Sequence, residues 1–600
     1  MTSRSLDLTR YSREGLRREA AGLLAVVRDC PSFEVARDRL RARVSQIQFD
    51  TLRGRAAPPS HEIIRVRDCA AALNTILTER ADARAGFSVA GALWDVALGR
   101  PRDDLQPAFY ADLVHLVRGL QGRARSAFAG HRILDPGLEG RAAALARSRE
   151  LDRLWRLAEG SMSRFASGLT EEATARREAR KRAILDALGG SESDWQDWHW
   201  HLRHLIEDAD ALGRLVPLSD TEATSIRRAT AGRLPFAVTP YYASLMDDDG
   251  SDRDRAIRAQ VIPPPDYIDN MLAARSEGLK RSCDFMLESE TSPIELVTRR
   301  YPAIVILKPF NTCPQICVYC QRNWEIEQAM APGALARPAV IDEAIAWIAR
   351  RSAIKEVLVT GGDPLALGDG RLRRILDALA DIDHVDLIRI GSRVPVTVPM
   401  RIDDDLADLL GSYRELGRRE VALVTHVEHP YELTMDVARA VDRLRRVGVA
   451  VYNQQVFTFF VSRRFESTLL RMLLRRIGID PYYTFAPKGK EETASYLVPI
   501  ARILQEQKEE ARLVPGSRRT DETVYNVPGL GKNYLRAMQH RDLLSIQADG
   551  ARVYEFHPWE KNVLEQDTYV GTDVPILQYL LRLQSIGEDP DEYKSIWYYF

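Results

Sequence analysis

The sequence predicts an α/β fold of parallel strands preceded by a long all-helical N-terminal region, and three observations predict it. Residues 1 to about 190 are rich in Ala, Leu and Arg, with apolar residues three and four apart, the period of one helix face. From Ala303 onward, short apolar runs alternate with helical stretches, which argues for βαβ units whose strands are covered on both faces. The residues richest in chemistry start where those runs stop, as in barrels whose sites are built at the C-terminal ends of strands.

In chain order, Leu16-Arg-Arg-Glu-Ala-Ala-Gly-Leu-Leu-Ala-Val-Val27 typifies the helical part, and Ala57-Pro-Pro-Ser60 and Gly189-Gly190 read as connections. This defines an N-terminal helical domain, 1–192, in which no cofactor motif stands out. A helical segment, 193–298, follows. It carries His199, His201 and His204, which on a Trp-rich amphipathic helix read as core-edge or surface residues in preference to metal ligands. Runs at 303–307, 356–359, 386–390, 421–424, 449–452 and 482–485 read as six strands, placing the barrel at 299–515 and leaving 516–600 as a C-terminal segment.

Composition excludes several classes. A net charge of -1 leaves no electrostatic footprint for nucleic acid or anionic lipid. No apolar run approaches the roughly 18 residues of a membrane span, and Met-Thr-Ser-Arg-Ser lacks the apolar core of a signal peptide. Few cysteines fit a reducing compartment, so a cytoplasmic protein is expected.

Three of those cysteines crowd into Asn311-Thr-Cys-Pro-Gln-Ile-Cys-Val-Tyr-Cys320. Cys313, Cys317 and Cys320 have the spacing C-x3-C-x2-C, which lets one loop hold three corners of a [4Fe-4S] cube and leaves the fourth iron open. A zinc knuckle would want a fourth Cys or His nearby. The rest of the chain offers only Cys30, Cys69 and Cys283.

Cys320 is followed by Gln-Arg322, and downstream stand Val-Thr-Gly-Gly-Asp363-Pro, Arg389-Ile-Gly-Ser-Arg393, Thr425-His426-Val-Glu-His429-Pro and Asn453-Gln454. In that order, and with Asp197-Trp-His-Trp200 and Leu234-Pro-Phe-Ala-Val-Thr-Pro-Tyr-Tyr242 upstream, the chain resembles the lysine 2,3-aminomutase family of radical S-adenosylmethionine (SAM) enzymes over residues 193–600. The resemblance implies a partial parallel (β/α)6 radical SAM barrel, an isomerase activity and an external electron donor of the flavodoxin or ferredoxin type. It implies that Gly361 and Gly362 let backbone approach SAM, that Asp363 meets its ammonium, and that His426 and Gln454 lie beside it.

A second cofactor signal is Asn526-Val-Pro-Gly529-Leu-Gly531-Lys532. A lysine behind a glycine-rich turn can reach into a cleft, and its position after the barrel is similar to the family's pyridoxal 5'-phosphate (PLP) lysine. By the same resemblance Arg300, beside Tyr301, meets the PLP phosphate, with Arg393 a further cation. A second family arginine is replaced by Ile304. Arg322 resembles the partner of the substrate carboxylate, for which a planar guanidinium is suited.

Substrate identity rests on departures. Lysine-type members place two aspartates around the distant ammonium, whereas here the corresponding positions are Lys488 and Asn526. A cation and an amide suit a side-chain carboxylate, the pattern of glutamate 2,3-aminomutases, with Lys490 an alternative partner. No cysteine follows Cys320, so the family's zinc is not expected. A homo-oligomer is expected, assembled through the helical extension or the apolar tail Ile596-Trp-Tyr-Tyr-Phe600. Two further readings stand beside the aminomutase: a radical SAM enzyme with another outcome, such as elimination or oxidation, and an iron-sulfur regulatory protein without turnover.

Overall fold

The computed structural model describes residues 6–53, 60–124, 135, 137–276, 284, 286–487, 491–558 and 567–600. Its central sheet runs in chain order: β1 (Val297–Thr298), β2 (Ile304–Phe310), β3 (Glu356–Gly361), β4 (Leu387–Gly391), β5 (Glu420–Thr425), β6 (Ala450–Val456), β7 (Asp480–Phe485), β8 (Glu522–Val527) and β9 (Gly531–Tyr534). Pairing is parallel from β2 to β8, and β1 and β9 add antiparallel edges. The first and last strands do not pair with each other, so the sheet is an open, partial barrel. All six expected strands are present, and β8 adds a seventh parallel one.

The crossover helices follow their sequence pattern. In Met435–Arg446 the buried residues are Val437, Ala440, Val441 and Leu444, Thr434 caps the N-terminus through Val437 N, and Arg443, Arg445 and Arg446 occupy the last turn, where cations meet the negative end of the helix dipole. Pro338–Ala349, Asp369–Ala380, Asp404–Ser412 and Glu466–Ile477 serve the other crossovers between β2 and β7, and Ile500–Gln505 lies between β7 and β8. Strand residues such as Val357, Val359, Ile388, Ile390 and Leu423 are fully buried, as strands covered on both faces require.

The N-terminal region is helical throughout its described elements, but its helices are divided among several cores. Leu16, Leu40, Leu73, Leu93 and Phe109 share a core with Phe556, Tyr579 and Trp597 near the C-terminus. Ile184 and Leu185, on Glu171–Leu188, instead join the barrel core with Trp195, Trp200 and Tyr241. A second, antiparallel sheet of β10 (Arg541–Ile546), β11 (Arg552–Phe556) and β12 (Tyr569–Thr572) completes the molecule. The expected role of the tail in assembly is corrected: Ile596, Trp597 and Tyr598 are buried within their own chain. His201 is likewise internal, bonded to Trp195 O at 2.8 Å, while His199 is exposed against Asp197.

No described helix is long and apolar enough to cross a membrane.

Candidate functional site

The candidate residues of the parallel strands gather at the rim where those strands end. The cysteine loop leaves β2 and is pinned by backbone bonds from Ile316 N to Ala237 O (3.1 Å) and from Val318 N to Gln260 O (2.9 Å). The segment 234–242 therefore serves as a floor under the loop. Asn323 stitches the loop to itself, donating to Val318 O at 2.7 Å and to Tyr267 OH at 2.9 Å.

The end of β3 presses against this loop. A Cβ on Gly362 would stand 2.0 Å from Thr312 O, and Gly361 has a φ of +116°, so both positions require glycine. The approach is thus to the cysteine loop itself. Asp363 differs from the expectation of a carboxylate offered to SAM: it is buried and accepts from Ser392 Oγ (2.6 Å), Arg393 N (2.8 Å), Val394 N (3.1 Å) and Leu365 N (3.1 Å). Its carboxylate ties the end of β3 to the end of β4.

That tie aims Arg393. Its Nη1 donates to Cys317 Sγ at 2.7 Å, its Nη2 pairs with Glu432 at 2.7 Å and reaches Gln260, and its Nε donates to His426 O at 3.2 Å. Arg393 therefore lies on the cysteine loop and is not shown toward a PLP phosphate. Burial raises the Cys317 thiol to about 11 against the lowering effect of Arg393, and raises the Cys313 thiol well above its ordinary value. A loop of half-buried thiols beside a largely buried guanidinium suits a ligand that brings iron charge of its own.

The thiols also fit a cluster better than one ion. Around a single zinc, sulfurs at about 2.3 Å from the metal stand roughly 3.8 Å apart. Among the described residues, the only His, Cys, Asp or Glu trio whose ligand atoms lie within 4.8 Å of one another is Asp542, Glu555 and His557, far along the chain in the second sheet. The thiols of Cys313, Cys317 and Cys320 do not all lie within that distance of one another.

Beyond the loop, His426 follows β5 and bonds the backbone of Gln454 on β6; burial, then Arg393, lowers its imidazole to about 4. Gln454 is the register partner of Tyr483 on β7. Lys532 Nζ donates to Tyr483 OH at 3.5 Å and lies 5.1 Å from the Tyr301 ring centroid, while its backbone N donates to Tyr301 OH. Asn526 stands directly opposite Lys532 across the β8–β9 hairpin, so the two side chains share a face. Contacts thus run unbroken from Cys317 through Arg393, His426, Gln454 and Tyr483 to Lys532.

Two expected residues are otherwise engaged. Arg322 is paired with Glu288 and Glu325, and Lys308 holds Glu288 as well at 3.0 Å. Arg300 donates to Met286 O and to Thr291 Oγ1. Lys488 and Lys490 lie outside the described residues.

The sequence reading missed Glu428, in the Thr425-His-Val-Glu-His429 motif. It is 2% exposed, accepts Val456 N at 2.6 Å and lies near Tyr319, between the second and third cysteines, whose hydroxyl donates to Gln260 Oε1 at 3.1 Å. Burial pushes its carboxyl up to about 8, opposed by Arg393, so near pH 7 it adds little negative charge. Its motif marked the position, but only the fold brings Tyr319 to it.

Comparison with known proteins agrees with this architecture. Residues 307–460 match the Radical SAM superfamily. An uncharacterised KamA family protein of Methanocaldococcus jannaschii is 39% identical over 599 residues, covering 96% of this chain and 95% of the relative. A glutamate 2,3-aminomutase of Clostridioides difficile is 34% identical over 53% of this chain and 71% of its own. An L-lysine 2,3-aminomutase of Clostridium subterminale is 33% identical over 49% and 67%. The similarity to the first relative takes in the helical N-terminal region, which had stood outside the resemblance.

Proposed function

The chain belongs to the KamA family of radical SAM proteins, and from that premise we propose that it is a PLP-dependent 2,3-aminomutase moving the α-amino group of an acidic amino acid, glutamate first, to the β-carbon. The observation that carries the reading is the run of contacts from Cys317 to Lys532 along one rim. It joins a candidate cluster loop and a candidate PLP lysine in one site.

When bound, the cluster and SAM supply a radical initiator, and PLP supplies a carbonyl for the amino group and an electron-delocalising ring. Cys313, Cys317 and Cys320 hold the cluster, and Arg393 offsets thiolate charge at Cys317. His426, neutral at working pH, and Gln454 line the SAM side. Lys532 holds PLP, with Tyr483 orienting its amine and Tyr301 covering it. Arg300 serves the phosphate. Arg322 exchanges Glu288 and Glu325 for the substrate carboxylate, a two-point contact of the same kind. Asn526, on the face of Lys532, offers its amide to the side-chain carboxylate, with Lys488 the matching cation.

The test is anaerobic incubation with SAM, PLP, a flavodoxin-type or chemical reductant, and glutamate, aspartate, lysine and alanine, with products read by mass and NMR. A β-amino isomer of glutamate is the expected product. Lysine preference would sink the acidic assignment, and SAM cleavage with eliminated or oxidised product would sink the aminomutase. Lys532→Ala is expected to lose the absorbance of bound PLP while keeping its iron; unchanged absorbance would move the cofactor lysine elsewhere.

A further inference from the structure

We propose that a second cavity, behind β7 and β8 on the face opposite Tyr483 and Lys532, is a binding site for an oxyanion of the phosphate class. Successive strand residues point to opposite faces, so while Tyr483 meets Lys532, Thr484 and its register partner Thr523 face away. There Arg471 Nη2 donates to Thr484 Oγ1 at 3.4 Å and Gln507 Nε2 donates to Thr523 Oγ1. The cavity is about 200 Å³, and Arg471, Lys508, Arg512, Arg519 and Arg536 line it against one carboxylate, Asp521.

The charge is not balanced from within. Arg471 is committed to Asp521 (2.7 Å) and Glu506, and Arg536 to Glu522. Among the described residues no carboxylate pairs with Lys508, Arg512 or Arg519. Lys508 Nζ rests 5.5 Å from the Tyr599 ring centroid, and burial followed by Arg541 lowers its pKa, a sign of the positive field around it.

Two buried polar atoms are also unanswered: Arg519 Nε and Gln507 Oε1. Gln507 is only 8% exposed, so water does not solvate its amide freely. The Thr523 hydroxyl can donate as well as accept, so turning the Gln507 amide over satisfies Oε1 and leaves the N–H donors of Nε2 uncommitted beside the cavity that Gln507 lines. Gln507 owes its place to one turn of π-helix, Glu506–Glu510, a distortion that often accompanies function. Guanidinium forks and an amide converging from several sides match the acceptor directions of a tetrahedral oxyanion. The volume admits a phosphate group but not a whole nucleotide, so the ligand is either free phosphate or the phosphate end of an ester whose remainder projects outward.

The experiment titrates the full chain, without added PLP, with inorganic phosphate and with glycerol 3-phosphate against chloride at equal ionic strength, by calorimetry and phosphorus NMR. Wild type is expected to bind phosphate or the ester above the chloride background. Arg512→Gln with Arg519→Gln should weaken this at least about tenfold, the order of a lost charge-assisted contact. Arg300→Gln, altered at the candidate PLP phosphate position, should retain it. Arg512 is exposed, so Arg512→Gln alone provides a folded control, checked by its melting midpoint, and should weaken binding in the same direction. Tighter binding of inorganic phosphate identifies the free anion as ligand, and tighter binding of the ester identifies a phosphate monoester. Binding no better than chloride, equal affinity in wild type and the double variant, or loss in Arg300→Gln alone would overturn the proposal.

Discussion

Gly362 has no room for a side chain, because a Cβ there would meet Thr312 O at 2.0 Å and Thr312 N at 2.4 Å. Gly362→Ala must push the cysteine loop away, at a cost of about 1–3 kcal/mol. The variant should melt lower and take up less iron on anaerobic reconstitution; full iron content at wild-type stability would refute this. Arg393 is the charge counterpart. Arg393→Met leaves Glu432, which is fully buried, without its cation, a change that costs about 3–5 kcal/mol. Denaturant unfolding of the iron-free protein measures it, and Arg393→Lys should recover only part because an ammonium lacks the fork. The three-cysteine loop was legible in its spacing, whereas Gly361 and Gly362 were expected from the resemblance to approach SAM and instead meet the cysteine loop. Glu428 and the true partner of Asp363 were not legible, since burial and partners from other strands decide what a carboxylate does.

At the scale of elements, the barrel strands and helices could be read from period and run length, but the β8–β9 hairpin could not. Asn526-Val-Pro-Gly-Leu-Gly-Lys532 reads as a loop because Pro and Gly dominate it. In the structure Gly529 and Gly531 take φ of +68° and +96°, the chain reverses, and Lys532 ends on a strand beside Tyr483. Thr434 illustrates how an element is fastened to its surroundings: it caps Met435–Arg446 at Val437 N (3.2 Å) and bonds Tyr241 OH at 2.7 Å. Thr434→Ala should cost about 1–2 kcal/mol for the cap and about 1–3 kcal/mol more for the stranded tyrosine hydroxyl. Thr434→Ser should restore most of it in urea unfolding. Equal stability of the Ala and Ser variants would show that the cap carries nothing.

At the scale of the molecule, the two chain ends are one structure. Arg552, 1% exposed, grips both oxygens of Asp112 at 2.8 Å and also donates to Trp597 O. Asp112→Ala would leave that guanidinium buried and unpaired, a loss of about 3–5 kcal/mol, seen as a lower unfolding midpoint in the C-terminal part as well as in the N-terminal helices. Independent unfolding of the two parts would contradict a shared core. Half-buried Asp573 accepts from Ile500 N and Val574 N, and burial raises its carboxyl from 3.8 to about 7. A raised folded-state value favours the protonated form, so its contribution is fully present below about pH 4 and is lost as pH rises through 7. Asp573→Asn should therefore flatten the stability profile between those values; a profile with unchanged slope would reassign the titration.

The sequence alone determined six barrel strand segments, the helical N-terminal region and the three-cysteine loop, because periodicity and short spacing are local and survive without a fold. Tertiary structure decided the rest. It committed Asp363 to backbone donors, turned Arg393 onto Cys317, closed Arg322 on two glutamates, and folded the N-terminal helices around the C-terminal tail. These outcomes depend on which buried groups share a low-dielectric space, where each charge must find a partner across the chain, and no local pattern records that pairing.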